Sequence, residues 1–302
     1  MKETMGYHDP VMLRECLEHL QIKPDGIYVD VTFGGGGHSR EIIKQLTTGH
    51  LYGFDQDGDA QNNALDSENF TLIASNFRHL KKNLRLRGVK QIDGLLGDFG
   101  VSSHQIDVPD RGFSARFDGP LDMRMNQEKE LSAHTVVNSY SEEQLSEILK
   151  NYGELNRPKV LAAAIIAARP VATTTDLKKA LQNLAPPPQK QGQFWAKIFQ
   201  AIRIEVNQEI EVIHELLEQA TEILKPEGRL VCMSYHSLED RPVKNFFRYG
   251  NIEGEPNKDF YGNLLRPLEP ITRKPITATA EEIKLNPRAR SAKLRVAQKL
   301  TE

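Results

Sequence analysis

Four consecutive glycines follow a short apolar run that ends in an acid, in the segment Asp30-Val31-Thr32-Phe33-Gly34-Gly35-Gly36-Gly37-His38. No other stretch constrains the chain as much. Glycine lets the backbone approach a ligand closely, and a helix beginning after such a turn adds backbone donors. Three kinds of ligand loop share this outline. A dinucleotide turn, G-x-G-x-x-G, would need a third glycine where Ser39 stands counting from Gly34, or Arg40 counting from Gly35. A P-loop would need Gly-Lys-Ser/Thr, and none follows. The third kind has an acid at the strand end, and Asp30 is that acid. A carboxylate there favours S-adenosylmethionine, which carries an ammonium and a sulfonium but no phosphate, and would repel a pyrophosphate. The bland alternative is a glycine-rich turn that binds nothing.

The surrounding pattern is alternating strand and helix. Strands are expected at 26–31, 50–55, 70–74 and 92–98, with helical spacing through Ile42, Ile43 and Leu46 and through Phe77, Leu80 and Leu84. Such an order implies a parallel sheet with ligands at the strands' C-terminal ends. From 107 to 208 the pattern becomes helix after helix. Ser141 opens a capping box, Pro158 opens an apolar helix, Thr175 is placed to cap 176–184, and the prolines at 186–188 read as a stiff linker. The α/β pattern resumes with a helix over 209–224 and a strand over 229–235, and segments 275–279 and 292–297 are read as antiparallel closing strands. The expected organisation is an α/β, Rossmann-like class I methyltransferase sheet formed by 1–106 and 209–302, with an all-helical insert at 107–208.

Each strand end offers a contact. Asp55 can accept both ribose hydroxyls, a feature shared by NAD and adenosylmethionine sites. Asp57 reads as a turn residue. Phe77 can stack on adenine or serve as helix core. Asp98 ends the fourth strand, where chemistry on such sheets occurs.

Composition bounds the rest. The 302 residues carry a net charge of −2 and 26% charged residues, as in an ordinary globular chain. Two cysteines are too few for a disulfide scaffold, the N-terminus carries no apolar leader, and no apolar run reaches membrane-spanning length. The expected location is therefore cytoplasmic. Charge is unevenly spread: Arg78, Lys81, Lys82, Arg85, Arg87 and Lys90 have no acid among them, and nine basic residues between Arg266 and Lys299 face Glu269, Glu281 and Glu282. Such patches fit a phosphate backbone, or are simply solvated faces. Asp30, Asp55, Asp57 and Asp59 do not make a calcium loop and no HExxH occurs, so no metal is expected.

Several stretches then carry a resemblance. They are 8–11 (HDPV), 30–39 (DVTFGGGGHS), 98–105 (DFGVSSHQ), 111–113 (RGF), 118–125 (DGPLDMRM), 199–207 (FQAIRIEVN), 234–241 (SYHSLEDR) and 286–291 (NPRARS). In these the chain resembles the bacterial family of ribosomal small-subunit (16S) RNA cytosine-N4 methyltransferases, known as RsmH or MraW. The resemblance implies methyl transfer from S-adenosylmethionine to the N4 amine of one cytidine in the decoding region of 16S rRNA, within the small ribosomal subunit. It implies cofactor contacts at Gly36, Gly37, His38, Asp55, Phe77, Asp98 and Gln105, and makes the helical insert a substrate-recognition domain.

Asp98 has two candidate roles, accepting a hydrogen of the reacting amine or binding the cofactor alone. His8, Asp122, Arg124, His236, Asp240, Arg288 and Arg290 are candidates for RNA contact, with a plain Asp122–Arg124 salt bridge and structural histidines as the alternatives. Ala115, the segment 152–157 (YGELNR) and Tyr235 depart from the family pattern; the first two put details of RNA contact in doubt. A DNA amino-methyltransferase is disfavoured because Phe99-Gly100-Val101 stands where a Pro-Pro-aromatic motif is usual. A nucleic-acid-binding protein without turnover is disfavoured by the intact loop with Asp30, Asp55 and Asp98.

Overall fold

The structure, a computed structural model, describes residues 10–301. Its centre is a seven-stranded sheet in the order β3-β2-β1-β4-β5-β7-β6. The strands are β1 (Ile27–Asp30), β2 (His50–Asp55), β3 (Phe70–Ala74), β4 (Ile92–Asp98), β5 (Leu224–Ser234), β6 (Leu268–Pro270) and β7 (Lys293–Lys299). β1 to β5 run parallel, and β7 lies antiparallel between β5 and β6. This is the strand order of a Rossmann-like methyltransferase sheet. A nicotinamide-type sheet ends 4-5-6 without the intervening antiparallel strand.

Side chains alternate between the two faces with a period of two. Leu95, Leu230 and Cys232 enter one core, and Leu96, Val231 and Met233 enter the other. The first core is covered by α3 (Leu80–Leu86), α10 (Glu209–Ile223) and α11 (Ser237–Tyr249), through Leu84, Leu217 and Phe246 among others. The second is covered by α1 (Leu13–Leu20) and α2 (Gly37–Ile43), through Cys16, Leu20 and Ile42. Because both faces are covered, the central strands read as continuous apolar runs.

The chain divides into two compact units, one running to Gly100 and resuming at Ile210, the other Val101–Glu209. The composition break in the sequence falls a few residues later, after 106. Val101 packs against the helical core, which draws the border upstream. The second unit holds α4 (Ser103–Asp107), α5 (Ala133–Ser139), α6 (Glu142–Asn151), α7 (Pro158–Ala167), α8 (Thr174–Leu181) and α9 (Pro188–Asn207) around Leu145, Leu149, Leu161, Ile165, Leu177 and Ile202. The final helix of the sheet unit, α12 (Ala280–Leu285), precedes β7.

Three local expectations need correction. Thr173, not Thr175, caps α8, because Asp176 then stands where its backbone and carboxylate can complete a capping box. The proline run is not only a linker: Pro188 is the first residue of α9, a position that asks no N–H of it. The second closing strand is β6, whereas 275–279 contributes only an isolated bridge between Ile276 and Leu294. Among the described residues no helix is long and apolar enough to cross a membrane.

In the second unit the loop after α4 doubles back at Gly112, which has φ 70° and where a Cβ would lie 2.2 Å from the Pro120 carbonyl oxygen. Both the left-handed backbone and the close approach require glycine. Gly112→Ala is expected to cost on the order of 2–4 kcal/mol in unfolding free energy, seen as a lower urea midpoint. An unchanged midpoint would mean that this crossing is not tightly packed.

Candidate active site at the strand ends

The glycine loop is organised from below by Asp30. Its carboxylate is buried and accepts hydrogen bonds from Ser39 Oγ at 2.7 Å, Thr32 N at 3.1 Å and Thr32 Oγ1 at 3.4 Å. Burial pushes the carboxyl's pKa up, and His38, Ser39 and Thr32 pull it back. The sequence reading aimed this acid at the ligand. In the structure its oxygens are committed to the loop that follows it.

Above it the loop is laced to its neighbours. Gly34 N donates to Asp55 Oδ2 at 2.8 Å, and the Gly34 carbonyl accepts from Asn63 Nδ2 at 3.0 Å. Gly36 N donates to the Phe33 carbonyl at 2.7 Å. Gly36 is left-handed at φ 73°, and a Cβ there would lie 2.9 Å from the Phe33 ring. Gly37 begins α2 beneath the Pro10 ring. His38, read from sequence as lying at the loop's edge, is buried with Nε2 3.0 Å from the Val11 carbonyl. That contact anchors the segment before α1 to the loop.

Asp55 accepts from two backbone groups, Gly34 N on Oδ2 and Asp57 N on Oδ1, both at 2.8 Å. An ionised carboxylate has about four acceptor positions, so both oxygens retain capacity for a ligand. Enclosure of the carboxyl pushes its pKa up to about 6, against the pull of those two donors. Asp57 caps the turn at Gly58–Asn63, as expected of a turn residue. Phe77 is half-buried in a short 3-10 turn, packed beside the sheet core with its ring 6.2 Å from that of Phe99.

Asp98 ends β4. Its backbone N donates to Thr32 Oγ1 at 2.7 Å, and its Oδ1 accepts from the Tyr235 hydroxyl at 2.8 Å. Burial raises its pKa to about 6, with Asp30 and Glu239 adding to the rise and His38 and Tyr235 opposing it. Thus Asp30, His38, Asp55 and Asp98 gather at one edge of the first unit. Gln105 lies in the second unit, buried, where its Oε1 accepts from Ser102 N to complete the α4 capping box.

The RNA candidates are dispersed. His8 lies outside the described residues. Asp122 and Arg124 form a two-pronged pair at 2.8 Å, and Arg124 also donates to the Lys129 carbonyl. Their loop is clamped by buried Arg111, which donates to the Arg124 and Met125 carbonyls, and by Asn207, which bonds Met123 and Met125. Asp240 is buried in a two-pronged pair with Arg295, at 2.6 and 3.1 Å, with Lys293 at 3.5 Å. These cations hold its pKa below the usual carboxylate range although burial alone would raise it. His236 sits 3.0 Å from Glu239, which is fully buried. Arg288 and Arg290 lie on the turn before β7, Arg290 exposed and Arg288 half-buried.

Sequence reasoning missed Tyr235, Thr32 and Ser39 as parts of the site. A hydroxyl one residue past a strand end was the available signal for Tyr235. Nothing in sequence spacing pairs it with Asp98.

The description of the MraW methylase family matches residues 5–300 of the chain. A curated relative from Flavobacterium johnsoniae, named Ribosomal RNA small subunit methyltransferase H, is 55% identical, covering 99% of this chain and 100% of its own. A relative of the same name from Cytophaga hutchinsonii is 53% identical, covering 97% and 99%. Among solved structures, an rRNA methylase from Streptococcus thermophilus is similar at 12% identity and a TM-score of 0.41, over 96% of this chain and 94% of that one.

Asp30→Asn leaves the Ser39 and Thr32 donors with one acceptor oxygen fewer while keeping the size of the side chain. Losing about one charge-assisted hydrogen bond, roughly 1.5–3 kcal/mol, should weaken S-adenosylmethionine binding roughly 10- to 100-fold with the far-UV circular dichroism unchanged. Calorimetric affinity equal to the parent would assign the loop's shape to other contacts.

Proposed function

Because the chain belongs to the MraW methylase family, we propose that it transfers a methyl group from S-adenosylmethionine to the N4 amine of a specific cytidine in the decoding region of 16S rRNA. The observation that carries this reading is a family match along nearly the whole chain to relatives named for small-subunit rRNA methylation. The carboxylates of Asp55 and Asp98 at the strand ends support it.

The donor set fits that cofactor. Asp55 retains acceptor capacity for ribose hydroxyls, and Asp98 suits an ammonium or amine hydrogen. The loop at Gly36 and Gly37 has no side chain to block a small ligand. Phe77 offers a ring face for adenine, and Gln105 is the contact that the family resemblance adds. When bound, the cofactor supplies a methyl group on a positively charged sulfur that a nitrogen lone pair can take.

The rest is the work of the protein. The N4 lone pair of cytosine is delocalised into the ring, so an acceptor that draws on an amine hydrogen favours the tetrahedral geometry the transfer needs. Asp98 is one candidate for that acceptor, and a carbonyl in the 98–101 segment is another. The competing role for Asp98 is to hold the cofactor only. Alignment of the two reactants does most of what remains.

RNA contact is assigned to the helical unit and to basic surface. Arg78 is paired with Glu215, and Lys81 with Glu222. Lys82, Arg85, Arg87 and Lys90 are exposed along α3 and the turn after it. With Arg78, His79 and Lys81, the residues Lys82 and Arg85 line a shallow groove of about 480 Å³. Phosphate contacts of this kind add affinity without sequence information, which would have to come from the site and the insert.

Incubating unmethylated small subunits with the protein and S-adenosylmethionine, followed by mass mapping of the RNA, should show one cytidine carrying a new methyl on its base. Methylation elsewhere, or none, would overturn the substrate. Asp98→Asn separates its roles. The expected result is a tenfold or greater loss of cofactor affinity, whereas unchanged affinity with lost turnover would move Asp98 to the amine.

A further inference from the structure

Tyr235 stands immediately after β5, and its position is fixed twice. Its backbone N donates to Glu239 Oε2 at 2.7 Å, and Glu239, in the first turn of α11, is fully buried. From that anchored backbone the phenol reaches across to β4 and donates to Asp98 Oδ1 at 2.8 Å. Asp98 is meanwhile tied through its backbone to Thr32, after β1. Asp98 is thus held from both neighbouring strands, its carboxylate from the end of β5 and its backbone from the end of β1.

The groups around Asp98 come from every element packed against it. Asp30 at the end of β1 and Glu239 on α11 oppose its negative charge, and His38 on α2 favours it. Cys16 on α1 is also close, but burial pushes its thiol far up, so it adds no charge. Tyr235 is the neutral donor of the set. Its own phenol is driven well above its ordinary range by burial and by Asp98 itself, so it keeps its proton at any working pH. A donor that cannot be lost, directed at one oxygen, does two things. It favours the ionised carboxylate, and it fixes the direction of Oδ1 while leaving Oδ2 with both of its acceptor positions for a ligand.

We propose that Tyr235 is a positioning residue of the methyl-transfer site, its hydroxyl holding the Asp98 carboxylate in place for the ligand. The proposal rests on the assignment of Asp98 as a ligand contact made above. It predicts a specific signature. In the parent, affinity for S-adenosylmethionine falls as the pH drops through the range where Asp98 takes up a proton. In Tyr235→Phe the ring and its packing remain but the donor is gone, so protonation of Asp98 begins at higher pH.

The test is calorimetric titration with S-adenosylmethionine from pH 5 to 9 on the full chain, parent beside Tyr235→Phe. The acid limb of the variant should lie roughly one pH unit higher, with affinity several-fold weaker near pH 6, about twofold weaker near pH 7 and the deficit smallest at pH 9. A limb that does not move, as in a loss of the same size at every pH, overturns the proposal. A second comparison guards against a merely loosened fold. In an Asp98→Asn background, Tyr235→Phe should change affinity less than twofold, and an undiminished effect there also overturns it. A parent that binds no S-adenosylmethionine at any pH overturns the functional reading as well, which separates the two failures.

Discussion

A carboxylate buried at the end of β1 must find hydrogen bonds or destabilise the fold. Asp30 finds them in Ser39 at the start of α2 and in Thr32 on the way into the glycine loop. That single knot ties the strand, the loop and the helix that follows. Thr32 extends it, since its hydroxyl accepts the backbone N–H of Asp98 at the end of β4. The loop in turn donates Gly34 N to Asp55 at the end of β2. Three strand ends are therefore mutually positioned through short polar contacts, and the ligand-facing geometry is a by-product of satisfying one buried acid.

The electrostatics follow from that enclosure. Asp55 and Asp98 both have their pKa raised to about 6 by burial. Each is still ionised near neutral pH but close to taking up a proton. A cationic or hydroxyl-bearing ligand relieves them, and a phosphate would add to their repulsion. The opposite sign appears on the outside, along α3, where basic side chains stand exposed. Carboxylates inside and cations outside are what a cofactor with an ammonium and a substrate with a phosphate backbone would require.

Much of this was legible in the sequence because it is local. The first four strands, the glycine turn and the helix-only insert follow from period and punctuation, and counting along the chain puts Asp55 and Asp98 at strand ends and Asp57 in the turn after one. What could not be read was side-chain direction and distant pairing. Asp30 was aimed at the ligand because sequence places a residue at a strand end without saying which way its carboxylate turns. The Tyr235–Asp98 and Asp240–Arg295 pairs join residues far apart in the chain, and no spacing rule links them. The Asp122–Arg124 pair was foreseeable because its partners are two residues apart. β6 was missed because a three-residue edge strand containing Pro270 carries little apolar signal.

The central claim is that the glycine loop and the acids around it form an S-adenosylmethionine site rather than a dinucleotide site. Isothermal titration of the protein with each ligand separately tests this most directly. Saturable binding of S-adenosylmethionine near neutral pH and no heat of binding with NAD are expected. Binding of NAD in place of S-adenosylmethionine would contradict it, and so would binding of neither.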